Sequence, residues 1–361
     1  MGLILKTNNY KSIGLPSGII RLSRNENPIG PSPAVIEAVR KRCNQINRYE
    51  DKDQILLFKK LAEHHGVPHD ENLALPGLES DQTWITVGDG AGHMMHGIAR
   101  AFLSAGDEII EPQPSFGLMS RFAGEIGSRA LRPPLSSEFR YDLSTIKAGI
   151  NERTRMVIIT NPNNPTGTII TTDELSSFVT DLPEQIIILI DEAYIDLVED
   201  KSCADGAEFI KNHKNVLMVR TLSKGYGIAG FRFGYALGQP NLIKNIRLHH
   251  GGTPSAMALT AAIAALSDPE HVSRTREVAR ISKEIYYVGF DKLGLEYIRS
   301  QAAFVLVRVG DAQNVTDILS DHGIIVINAE KSWNLKGMIR VSYGTEQESN
   351  IFVRTLSHIL S

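Results

Sequence analysis

Between residues 84 and 237, short β-branched runs alternate with helical patterns, and this alternation constrains the fold more than any other feature of the chain. It predicts crossover units wound around a mainly parallel sheet with helices on its faces. The clearest buried strands are at 109–110, 156–160, 186–190 and 216–219. Three of them run straight into polar segments: Asn161 follows one, Asp191 ends the next, and 221–224 follows the last. Ligands of open α/β sheets gather at the carboxyl ends of strands, so these segments are expected to share one site.

On either side the pattern changes. Ser32 and Pro33 read as an N-cap and first helical position, with Val35, Ile36, Val39 and Cys43 along one face. Pro254 and Ser255 open an alanine-rich helix over 256–266, and strands are expected at 304–309, 324–327 and 339–342. The expected organisation is an arm over 1–35, a large domain over 36–266 and a smaller α+β domain over 267–361. A chain of 361 residues, 42% hydrophobic and 22% charged, is long enough for two domains. Its net charge near −3 gives no electrostatic footprint for nucleic acid or an anionic membrane, which favours a small-molecule substrate. Cys43 and Cys203 are too few for a disulfide framework or a thiolate zinc cage, and read as buried thiols of a reducing compartment. With no leader-like start and no apolar run of spanning length, a cytoplasmic protein is expected.

Four segments carry chemistry: NPNNPTG at 161–167, DEAY at 191–194, Ser223 with Lys224, and Arg232. A pyridoxal 5′-phosphate (PLP) site needs a lysine for its imine, a carboxylate for the pyridine nitrogen, donors for the ring oxygen and cations for the phosphate. All four kinds of group occur here, in order. Lys224 lies among glycines at 225, 227 and 230 that let backbone approach a ligand closely, and Arg232 lies eight residues on. A lysine forms an imine only when neutral, which needs a desolvated site or neighbouring cations. Asp191 ends an apolar strand, where an ionised carboxylate is costly unless a cation such as a protonated pyridine faces it. Taken singly, Lys224 could be a solvated lysine, Asp191 a helix cap and NPNNPTG a polar turn. GDGAG at 88–92 precedes a helical face of Met94, Met95, Ile98 and Phe102, and the free amides of such a helix start suit a phosphate.

The chain resembles the fold-type I, class I/II family of PLP-dependent aminotransferases, and within it the histidinol-phosphate aminotransferase branch. The resemblance rests on RNENPIGPSP at 24–33, RYED at 48–51, NPNNPTG, DEAYIDL at 191–197, RTLSKGYGIAGFRFG at 220–234 and IRVSYGT at 339–345. It implies Lys224 as the Schiff-base lysine, Asp191 as partner of the pyridine nitrogen, and Asn164 and Tyr194 as ring-oxygen donors. Ser223, Arg232 and the amides of Ala91 and Gly92 would hold the phosphate, and Phe116 would stack on the ring where the branch usually has tyrosine. Tyr49 would reach the phosphate of a neighbouring subunit, implying a homodimer with shared active sites. Arg340 would pair with a substrate carboxylate, with Asn25 and Arg24 beside it. The implied reaction is a ping-pong transfer of an amino group from an L-amino acid or related amine to a 2-oxo acid, with Lys224 moving the proton.

Several positions depart from the branch. Ile327 stands thirteen residues before Arg340, where the enzyme acting on histidinol phosphate has a second arginine. Ala303, Arg24, His93, His249 and His250 also differ from the branch, and together the changes imply a different amino donor. Arg24, Glu26, His93, His249 and His250 are the residues that could read its side chain. The same lysine and aspartate would equally serve a decarboxylase, lyase or oxidase on this scaffold. A non-catalytic PLP-fold binding protein is the reading furthest from it.

Overall fold

The computed structural model describes residues 18–48, 51–68, 82–250 and 252–361. Its centre is a seven-stranded sheet in the order Ile85–Gly88, Gly234–Gly238, Val216–Thr221, Ile187–Asp191, Thr154–Thr160, Glu108–Ile110 and Arg129–Leu131. Gly234–Gly238 runs antiparallel to both neighbours, while the remaining pairs are parallel, so the sheet is mixed and mainly parallel as expected. The four predicted strands are all present, each extended by one or two residues or shifted by one.

The strands are apolar throughout because both faces are covered. Val157, Ile159, Ile188 and Ile190 face one hydrophobic layer, and Met156, Ile158, Ile187 and Leu189 face the other. Two-residue periodicity therefore divides consecutive side chains between two cores. Thr160 is paired with Asp191, and Asp191 with Val219, so the carboxyl ends of the three central strands lie level at one edge.

A second, antiparallel sheet joins Ile327–Asn328, Met338–Ser342, Phe304–Arg308 and Tyr297–Ile298. Its core of Tyr286, Phe290, Val305, Val307 and Phe352 is separate from the two large-sheet layers. The 24-residue helix Pro269–Lys292, capped by Asp268 with proline at its start, packs against the C-terminal helix Glu346–Leu360. The strand expected at 324–327 is two strands: Ile324–Ile325 pairs in parallel with Ile20–Arg21 of the arm, and Ile327–Asn328 joins the antiparallel sheet. A change of partner at Val326 divides a run that is continuous in hydrophobicity.

Helix Pro33–Arg42 begins as predicted, with Ser32 Oγ accepting from Val35 N. Only part of its expected apolar face is covered. Val35 is buried and Val39 packs beside it against Ala256–Leu266, whereas Ile36 and Cys43 are exposed. Cys203 is half-buried, with its thiol pushed up to about 12 by burial. Neither cysteine is the buried core thiol expected from the sequence.

Candidate active site

At the level edge of the central strands lies a cavity of about 520 Å³, within the usual range for small-molecule sites. Arg24, Asn25, Ala91, Gly92, Phe116, Asn164, Asp191, Tyr194, Ser223, Lys224, Arg232 and Arg340 all line it. Every residue expected to hold the cofactor or the substrate carboxylate therefore lines this one cavity except Tyr49, which lies outside the described residues.

Asp191 is the last residue of its strand and only 3% exposed. Its carboxylate accepts from the amide of Ala193 at 3.2 Å. Burial pushes its pKa up to about 7, and the charge of Glu111 adds to the effect. A carboxylate held in this way is a ready partner for a cation, which is what a protonated ring nitrogen provides.

Lys224 follows the next strand and donates from Nζ to the carbonyl of Arg24 at 2.9 Å. Its pKa is lowered to about 8, first by burial, with Arg340, Arg232 and Arg24 adding to the lowering and Glu26 opposing it. Gly225 permits the approach of this loop, because a Cβ there would lie 2.6 Å from Cβ of Asp196. Ser223 is held by Thr221, whose Oγ1 receives the Ser223 amide at 3.1 Å and lies 2.8 Å from Ser223 Oγ.

Opposite Lys224, helix Ala91–Phe102 starts at Gly90 with no side-chain cap. The amides of His93 and Met94 are used by Gly90 O, while Ala91 and Gly92 themselves line the cavity. A Cβ on Gly90 would lie 2.5 Å from Arg232 Nη2, and Arg232 itself takes a left-handed conformation with φ 56°. Gly90 has φ 92°, a conformation that side chains resist. Cationic guanidinium and free helix-start amides together form an anion cradle. Gly90→Ala is expected to crowd Arg232 and strain the backbone, weakening cofactor retention about tenfold. Dialysis followed by quantitation of bound cofactor checks this.

The third wall is built across the two sheets. Asn25 donates from Nδ2 to the hydroxyl of Tyr194 at 2.8 Å, and Tyr194 sits edge-on to Phe304. Arg340 donates from Nη1 to Asn164 Oδ1 at 2.5 Å and from Nη2 to Ser23 O at 2.9 Å. Its guanidinium lies about 5 Å from the rings of both Phe304 and Trp333, and its buried Nε has no partner among the described residues. Trp333 is fixed in turn by donating to Ser115 O at 2.9 Å. Phe116, one residue on, is 48% exposed and presents its ring to the cavity.

The structure corrects the expected recognition cluster. His93, His249, His250 and Glu26 do not line the cavity. His93 Nδ1 receives the amide of Asp89 at 3.1 Å, His250 Nε2 is 2.7 Å from Thr86 Oγ1, and His249 Nδ1 is 2.9 Å from Asn245 O. Those histidines are tied into helix Ala91–Phe102 and its neighbouring elements. Glu26 is held by Arg21 at 2.7 Å. Sequence reasoning missed Thr160, Met95 and Leu118, which line the cavity, and Trp333, which braces Arg340; Thr221 entered it only as the start of the 221–224 segment.

The chain matches the family described as aminotransferase class I and II over residues 17–356. It is 34% identical to a histidinol-phosphate aminotransferase of Moorella thermoacetica, over 95% of this chain and 86% of that protein. Among solved structures it is similar to a histidinol-phosphate aminotransferase of Sinorhizobium meliloti in complex with pyridoxal-5′-phosphate, with TM-score 0.82 and 27% identity, covering 94% of this chain and 90% of the other. It is also similar to a protein of Erwinia carotovora atroseptica described as a putative histidinol-phosphate aminotransferase, with TM-score 0.87 and 25% identity, covering 94% and 96%.

Proposed function

We propose a function for a chain that belongs to the class I and II aminotransferase family: it is a PLP-dependent enzyme of the histidinol-phosphate aminotransferase type that transfers an amino group from an L-amino acid to a 2-oxo acid. The observation that carries this reading is the meeting of Lys224 and Asp191, from adjacent strand ends, in one cavity with the Gly90–Arg232 anion cradle. The donor set fits the cofactor in charge as well as in kind, since Asp191 answers a pyridinium and the cradle a phosphate.

PLP, when bound, supplies an electron sink conjugated to the amine nitrogen of the substrate. Asp191 keeps the ring nitrogen protonated. Ser223, Arg232 and the amides of Ala91 and Gly92 hold the phosphate, and Phe116 offers its ring face for stacking. The Tyr194 hydroxyl oxygen accepts a hydrogen bond from Asn25 Nδ2, so its own hydrogen would be available to the ring oxygen. Asn164 uses Oδ1 to accept from Arg340, which leaves its Nδ2 as a second donor. Lys224, with its amine lowered to about 8, is the group that would take up and hand on the proton of the substrate α-carbon. Arg340 lines the cavity and would orient the substrate carboxylate through the Nη hydrogens that Asn164 and Ser23 leave unused. Repeating these steps in reverse with a 2-oxo acid completes a ping-pong cycle.

The proposed donor differs from histidinol phosphate. Ile327 is the cross-strand partner of Arg340, so the two side chains share a sheet face, and an isoleucine there cannot bind a phosphate. The proposed assembly is a homodimer with shared sites. It is supported by Tyr49 in the sequence and by exposed Ile36, Ile46 and Leu56 on the neighbouring helices and turn. The proposed division of the chain remains an arm, a large domain and a small one, with separate hydrophobic cores beneath the two sheets. Among the described residues no helix is long and apolar enough to cross a membrane.

Absorbance titration of the holoenzyme with an amino-acid panel and histidinol phosphate tests the reaction. An amino-acid donor should convert the cofactor to its aminated form, and a 2-oxo acid should restore the starting spectrum. A spectrum that shifts on binding without that conversion would point to decarboxylation, elimination or oxidation. Preference for histidinol phosphate would overturn the donor assignment.

A further inference from the structure

Under the PLP reading, on which this inference rests, Phe116 offers its ring face to the cofactor. Side-chain packing does not fix that ring, because Phe116 is 48% exposed and belongs to no helix or strand. Its place has to come from the backbone on either side.

The segment leaves strand Glu108–Ile110 and enters helix Leu118–Ile126. Before Phe116, Pro114 O receives Asn163 Nδ2 at 3.0 Å, and Ser115 O receives Trp333 Nε1 at 2.9 Å. Ser115 Oγ is also 3.3 Å from Thr160 Oγ1. After Phe116 the chain turns at Gly117, whose φ of 75° favours glycine and which gives its helix no side-chain cap. The cap comes instead from Glu111, six residues back. Its Oε1 receives Gly117 N at 3.1 Å, and its Oε2 receives Ser120 N at 2.8 Å and Ser120 Oγ at 2.5 Å. One buried carboxylate thus ties the two ends of the segment together, and Phe116 is left on the cavity side while Glu111 does not line the cavity. Burial raises the Glu111 carboxyl above its ordinary range, and the bonds from Ser120 and Gly117 and the charge of Arg132 oppose that rise. Burying such a group is costly, and the start of a helix is where a negative charge is best compensated.

We propose that Glu111 is a positioning residue for the cofactor: by closing the 111–120 turn, its carboxylate holds the Phe116 ring at the cavity wall on which the cofactor stacks. Every group that meets the carboxylate is a donor, so only a side chain with two acceptor oxygens satisfies them all. Glutamine keeps the volume but turns an N–H toward one of these donors.

The test uses the full-length wild type, Glu111→Gln, Phe116→Ala and the double variant. Equilibrium dialysis against PLP gives the dissociation constant of each. Glu111→Gln should raise it about fivefold, within the worth of one aromatic stack. In the Phe116→Ala background the same substitution should add less than about twofold, because two changes that act through one contact do not add. Hydrogen exchange follows the anchor itself: the amides of 117–120 should exchange about tenfold faster in Glu111→Gln, with those of strand Ile187–Asp191 unchanged. Where Glu111→Gln does not fold, Ser120→Ala, which removes only the hydroxyl donor, takes its place in the same comparison. No loss of PLP affinity, or an equal loss in both backgrounds, would overturn the positioning role, as would unaltered exchange at 117–120. A wild type that retains no PLP, with exchange still loosened by the substitution, would instead overturn the cofactor reading and leave the anchor of Phe116 standing.

Discussion

Lys224→Ala is expected to reduce turnover about 10⁴-fold, the upper range for removal of a positioned acid–base group. Lys224→Arg should be nearly as inactive, although it keeps the positive charge, because a guanidinium does not deprotonate near neutral pH. That pair of variants separates the need for a base from the need for a cation. The pH dependence follows from the same group. Burial lowers the amine to about 8, so its neutral, nucleophilic fraction grows as pH rises through about 8. The rate at which cofactor-free protein captures PLP should climb over that interval and level off above it. Stopped-flow absorbance across pH 6.5–9.5, roughly the span a single titration near 8 occupies, is the direct measurement. A flat profile would mean that Lys224 is not the capturing amine.

Arg220→Ala should cost about 3–5 kcal/mol of folding stability, the usual result of leaving one buried charge unpaired. Arg220 is buried behind the site and donates from Nε to Glu192 at 2.9 Å and from Nη2 to Asp205. Glu192 follows Asp191, and its other oxygen receives Gly206 N at 2.6 Å. This network therefore joins the strand bearing Asp191 to the one that leads into Lys224. Burial raises the Glu192 carboxyl from its ordinary 4.5 to about 7, and Arg220 is the strongest influence lowering it. Removing Arg220 raises it further. A carboxyl whose folded pKa exceeds its unfolded value contributes stability below the unfolded pKa and loses it as pH rises through the folded one. The deficit of the variant should accordingly be smallest near pH 4.5 and largest above pH 7. Urea unfolding at several pH values checks both size and sign, and Arg220→Lys should recover only part of the loss because it lacks the fork.

Much of this site is legible in the sequence because its residues lie at the ends of strands that announce themselves. The run at 186–190 is apolar on consecutive positions, and Asp191 interrupts it with a charge. The glycines around Lys224 and at 88–92 read as room for a ligand, and in the structure two of them lie at close approaches within the protein, Gly225 against Asp196 and Gly90 against Arg232. The histidines misled because their chemistry suits recognition while their location does not. His93 shares a helix with Ala91, Gly92 and Met95, which line the cavity, but its ring turns back to the amide of Asp89. Nothing in residue type or spacing reports that turn.

The sequence alone determined the mainly parallel sheet, the placement of its strands and the set of groups that suits PLP. These depend on local periodicity and on residues within a few positions of a strand end. Tertiary structure decided what local pattern cannot encode. It split 324–327 between two sheets, and bound the arm to Ser342, more than 300 residues away, which sets Arg24 at the mouth of the site. It also placed Arg340 between Phe304 and Trp333 with its fork already engaged. The physical reason is the same in each case: hydrogen bonds and ring contacts between distant segments fix where a charge points, and such contacts leave no periodic trace in the chain.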